Sequence, residues 1–77
     1  MSQRMTQKTR RIACPELLTP QGTIQTQYVV EISQGKVIQY YPLEKELPFV
    51  EWEMSCLSLR KDDEGQLTLW KDNEPIT

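Results

Sequence analysis

Apolar and polar positions alternate most cleanly through Tyr28-Val29-Val30-Glu31-Ile32-Ser33, with Tyr28, Val30 and Ile32 on one face and Val29, Glu31 and Ser33 on the other. This period of two, rich in β-branched residues, predicts a half-buried strand. Gln34-Gly35 follows, where a two-residue hairpin turn wants positive φ, and Lys36-Val37-Ile38-Gln39-Tyr40-Tyr41 returns. Pro42 closes the second strand because it has no N–H to give to a ladder. A second hairpin is predicted from Met54–Lys61 and Gln66–Lys71. There Ser55, Leu57 and Leu59 share one face, Leu67 and Leu69 answer, and Asp62-Asp63-Glu64-Gly65 forms the loop.

Between and before these hairpins the pattern is weaker. Arg11-Ile12-Ala13-Cys14 predicts a short strand ending before Pro15, and Thr19-Pro20-Gln21-Gly22 is a β-turn signature. Leu43–Pro48 reads as a connector with room for one helical turn, which Pro48 would stop. Phe49-Val50-Glu51-Trp52-Glu53-Met54 alternates imperfectly and is expected to be extended. No segment holds the i, i+3, i+4, i+7 spacing of a long helix. Five or six short strands around one core predict an all-β fold, a small antiparallel β-sandwich or open barrel. Met1–Thr9 lacks periodicity and is expected to be a disordered basic arm; residues 10–77 form the single β domain.

The chain has 77 residues, 38% of them hydrophobic and 26% charged, which suits one small globular domain. No apolar run approaches the roughly 20 residues that span a bilayer, and the first fifteen residues hold no apolar signal core. A cytoplasmic location with no membrane partner is the expectation. Charge is uneven: Arg4, Lys8, Arg10 and Arg11 stand without an acid before residue 16, a balance of +4. Lys36, Lys45, Arg60, Lys61 and Lys71 face all eleven acids in the rest, a balance of −6. Nucleic-acid domains carry basic patches on the folded body, and this body is acidic, so nucleic acid is not the expected partner.

The chemistry-bearing groups are few. Histidine is absent, which removes the commonest acid–base group and excludes Ser-His-Asp and Cys-His arrangements. The three glycines, Gly22, Gly35 and Gly65, each belong to a predicted turn rather than to a phosphate loop. Cys14 and Cys56 are too few for a zinc site and are read as small buried side chains. Glu44, Glu46, Glu51 and Glu53 are read as solvated surface acids. No catalytic residue, metal ligand or cofactor is predicted. Most of the aromatics are expected in the core. Any that surface among Tyr41, Phe49, Trp52 and Trp70 would mark an interaction surface, since Trp and Tyr dominate interface hot spots.

Glu16–Leu43, ELLTPQGTIQTQYVVEISQGKVIQYYPL, resembles the opening segment of amidohydrolase-superfamily enzymes. The likeness lies in Thr19-Pro20-Gln21-Gly22, Val29–Ile32, Gly35-Lys36-Val37-Ile38 and Pro42-Leu43. In that family the segment builds a small β-sandwich beside a metal-bearing (β/α)₈ barrel. The present chain departs where the family's His-x-His pair would follow, so no catalytic or metal residue carries over. The resemblance implies a stand-alone sandwich module, completed by the Met54–Lys71 hairpin or by a second copy. Two functions follow as expectations. One is a non-enzymatic module for protein interaction or self-association, with a homodimer among its forms. The alternative is an accessory domain or subunit of a metal-dependent amidohydrolase-type enzyme.

Overall fold

The computed structural model describes residues 9–77. Its strands are β1 (Thr9–Leu18), β2 (Ile24–Ser33), β3 (Lys36–Pro42), β4 (Val50–Trp52), β5 (Cys56–Lys61), β6 (Leu67–Lys71) and β7 (Glu74–Ile76). They form one open sheet in the order β3-β2-β1-β5-β6-β7, with β4 also paired to β1. The fold is all-β, as the alternation predicted, with seven strands where five or six were expected. The predicted arm Met1–Thr9 lies outside the described residues except for Thr9, which opens β1.

Turn chemistry accounts for both predicted hairpins. Gln34 and Gly35 take φ of 55° and 77°, the geometry that matches the twist of two antiparallel strands. Between β5 and β6, the Asp62 carboxylate accepts from the Glu64 and Gln66 backbone N–H groups at 2.8 and 2.9 Å. Gly65 supplies a φ of 81° in the same loop. A third tight turn, with Asp72 at φ 56°, brings β7 back onto β6. Asp and Asn tolerate this region better than most residues.

Strand β1 departs most from expectation. It runs through Pro15 instead of stopping before it. A proline inside a strand is tolerated where no ladder needs its N–H. Here every neighbour skips it. The β2 register omits the Pro15–Gln27 pair, and Gln27 adopts φ 54°. On the other edge β4 pairs in parallel with Arg11–Ala13 and β5 in parallel with Glu16–Leu18, with the gap at Cys14–Pro15. These parallel pairings replace the wholly antiparallel arrangement expected. Strands β3 and β4 lie on opposite sides of the β2–β1 pair, so the connector 43–49 crosses one face of the sheet and re-enters alongside β1 in the same direction.

The irregularity also moves the core by one position. Ile12 and Cys14 face the core, yet the next core residue is Leu17 rather than Glu16. Tyr28, Val30 and Ile32 from β2, Leu57 and Leu59 from β5, and Leu69 from β6 complete that face. The sheet curls so that Val37 and Tyr40 of β3 and Leu67 and Ile76 of β6 and β7 pack against this one core. An ion pair from Lys36 to Asp62 ties the β2–β3 turn to the β5–β6 loop. The opposite face of β2 was expected to be solvated. It is not: Ala13 and Val29 are fully buried and Glu31 nearly so, and Arg11 on the same face reaches the Pro48 carbonyl of the connector at 3.4 Å.

This displacement is testable. Leu17 is fully buried, whereas Leu18 is 37% exposed. Leu17→Ala is expected to cost about 2–5 kcal/mol in urea denaturation, the range of buried leucine truncation, and Leu18→Ala less than about 1 kcal/mol. Equal costs, or the reverse order, would contradict the placement of Leu17 in the core.

Candidate functional site

The four aromatics picked from sequence do not form one surface. Tyr41, at the end of β3, donates its hydroxyl to Glu31 on β2. The Glu31 carboxylate also accepts from Gln39 Nε2 at 3.0 Å and lies 3.3 Å from Arg11 Nε. Bonds from Gln39 and Tyr41, aided by the Arg11 charge, hold the Glu31 carboxyl below its ordinary pKa. Burial and the bond to Glu31 push the Tyr41 hydroxyl up. Tyr41 therefore satisfies a nearly buried carboxylate.

Trp70 is also occupied. Its indole N–H donates to Thr68 Oγ1 at 2.8 Å, and the Arg60 guanidinium lies 4.4 Å above its ring. Arg60 is fixed in turn by the Asp72 carbonyl at 3.1 Å. The result is a half-buried, capped ring on the face of β6 away from the core.

Phe49 and Trp52 remain, Phe49 just before β4 and Trp52 at its end, and Met54 follows two residues later. Phe49 is 92% exposed, Trp52 63% and Met54 80%. The signal for Met54 was the alternation Val50, Trp52, Met54, which puts a third apolar side chain in step with the strand. Beside β4 the connector leaves a groove of about 390 Å³, lined by Leu43, Leu47, Val50 and Trp52 with Glu44, Lys45 and Glu46. Among the described residues β4 pairs only with β1, so its outer edge is open.

The predicted acid cluster divides at this edge. Glu44 and Glu46 lie exposed on the connector, as expected. Glu51 instead receives Arg10 Nε and Nη2 at 2.9 and 2.7 Å, a two-pronged pair that lowers its pKa. Glu53 lies 3.0 Å from Lys71 Nζ, and that bond raises the lysine's pKa. Arg10 and Arg11, counted from sequence with the basic terminus, thus serve as partners for acids within the sheet.

The cysteines separate as well. Cys14 is buried, and its thiol is pushed up to about 11, chiefly by burial, with Cys56 and Glu53 adding to it. It stays protonated and unreactive at neutral pH. Cys56 was expected to be buried and is exposed, because it alternates with the buried Leu57 along β5. No group of three or more His, Cys, Asp or Glu among the described residues could hold a metal ion. No described helix is long and apolar enough to cross a membrane.

Comparison with known proteins adds no relative: no family model, no curated protein and no solved structure matches the chain.

The Glu31 site yields a pH prediction. Its carboxyl has a lower pKa folded than unfolded, so its stabilisation is complete above the ordinary carboxylate pKa and is lost as pH falls through the lowered value. Glu31→Gln removes the charge facing Arg11 and is expected to cost about 1–3 kcal/mol at neutral pH. Melting temperatures followed from about pH 7 to pH 3 should converge for the two proteins at the acid end. Parallel curves would show that the carboxylate does not stabilise the fold.

Proposed function

We propose that the chain is a non-enzymatic binding module whose contact surface is the open β4 edge. One observation carries this reading: Trp52 on β4, with Phe49 just before the strand and Met54 just after it, is exposed beside a strand that has a neighbour on one side only. Large apolar side chains scattered singly over a surface need no explanation, whereas three within six residues of chain, one of them lining an open groove, favour a macromolecular contact. Trp52 fits the part of an anchor, having a large apolar ring and a polar N–H on one rigid side chain. Tyr41 and Trp70 already have their partners within the chain, so of the four aromatics Phe49 and Trp52 are the ones left to offer contact surface.

The binding mode this arrangement suits is strand addition. An extended segment laid along β4 would bond to its outer backbone groups and place side chains against Trp52 and into the groove. Since β4 has only three residues, main-chain bonds alone would give little affinity, and the aromatic contacts must supply most of it.

Site-specific photocrosslinking tests the reading. A photoreactive aromatic amino acid placed at Trp52 should form defined adducts with a protein partner, in the purified chain or in cell extract. The same group at Ile38, exposed on the far edge strand β3, should form none. Absence of adducts at Trp52, or equal adduct patterns at both positions, would refute the assignment of the surface.

A further inference from the structure

Three strand edges of the sheet lack a described neighbour: the outer edges of β3, β7 and β4. Natural sheets guard such edges with prolines, bulges, lysines or short strands. Edge β3 has a bulge opposite Glu31–Ile32 and carries Lys36 at one end and Pro42 at the other. Edge β7 is Glu74-Pro75-Ile76, three residues with a proline at the centre. Edge β4 is Val50-Glu51-Trp52, short but without proline, bulge or lysine, and flanked by exposed Phe49 and Met54.

Two further observations bear on what covers it. Phe49 adopts φ 57°, a left-handed conformation that is strained for an aromatic residue, while its ring makes almost no use of the protein interior. Strain of this kind collects at functional positions. The acids on and just after the strand are both engaged, Glu51 by Arg10 and Glu53 by Lys71, while Glu44 and Glu46 stay exposed on the connector wall of the groove. With Glu51 and Glu53 already paired, two copies of the strand can meet without bare like charges between them.

We propose that the β4 edge self-associates, two copies meeting edge to edge about a two-fold axis with Phe49, Trp52 and Met54 packed between them. This rests on the module reading above and names its partner as the chain itself. A two-fold contact uses the same patch twice, so it requires only that the patch be complementary to itself. The three side chains leave roughly 500 Å² exposed per chain, and a pair covers on the order of 1,000 Å² from them alone. With half-buried Leu47 and Val50 of the groove at its rim, the contact reaches the lower end of stable interfaces, about 1,200 Å² in total. The dimer is therefore weak and depends on concentration.

Sedimentation equilibrium of the full chain, from about 10 μM to about 1 mM, tests this range of affinity. The expected result is a monomer–dimer equilibrium. Trp52→Glu should raise the dissociation constant about tenfold or more, as loss of a central anchor does. Phe49→Gly should weaken association likewise without lowering the melting temperature of the monomer, since glycine accepts φ 57° and the exposed ring holds nothing in place. Ile38→Glu on the β3 edge should leave association unchanged. A strict monomer throughout overturns the proposal, and so does an Ile38→Glu effect as large as that of Trp52→Glu. Adducts at Trp52 with another protein, found together with a strict monomer, would retain the module reading and reject self-association.

Discussion

Strand β1 is asked to pair along both edges while carrying a proline near its middle, and the rest of the sheet is arranged around that conflict. Pro15 has no N–H, so each neighbour must leave it out. On one side β2 does so with Gln27 in a left-handed conformation. On the other a single long partner is replaced by two short ones, β4 before the proline and β5 after it. The β4 offset from β1 is one residue less than that of β5, so residues 53–55 turn away from the ladder between them. Glu53 keeps one bond there, its N–H donating to the Ala13 carbonyl at 2.9 Å.

That division decides which backbone is left open. β5 finds β6 on its outer side, through Leu57–Lys61 and Leu67–Lys71, and so becomes an interior strand. β4 lies beyond the reach of β6 and keeps one free edge. Trp52 and Met54 then have no covering strand, and Phe49 sits at the turn that starts the segment. The connector that brings the chain to β4 crosses the second face of the sheet, where Ala13 and Val29 are buried and Glu31 needs Arg11, Gln39 and Tyr41 to satisfy it. The core constraint and the exposed surface thus share one origin in β1.

Local features were legible in the sequence where a turn type dictated them. Gln34-Gly35 and Gly65 marked their hairpins because positive φ narrows the choice of residue, and Thr19-Pro20-Gln21-Gly22 closes with a Gly22 N–H to Thr19 O bond of 2.9 Å. Which strands meet was not legible. Alternation states which side chains share a face but names no neighbour, so the parallel pairing of β1 with β4 and β5 had no signal. Pro15 was read as an end because proline usually is one, and the core shift from Cys14 to Leu17 follows from the same residue. Val29 and Glu31 read as solvent-facing because alternation along one strand cannot show that Arg11, Gln39 and Tyr41 gather over that face. At the surface, nothing in the pattern separates exposed Phe49 and Trp52 from Tyr41 and Trp70, which look identical to them until Glu31 and Arg60 are placed. Met54 has no ring to mark it, and its exposure follows only once β4 is seen to lack an outer neighbour.

Amide hydrogen exchange tests most directly whether β1 organises the sheet. Paired on both edges and buried at Ile12, Ala13, Cys14 and Leu17, it should exchange slowest of all strands, at rates set by global unfolding, while the edge strands β3 and β7 open first. Amides of β1 that exchange as fast as those of β7 would contradict the account.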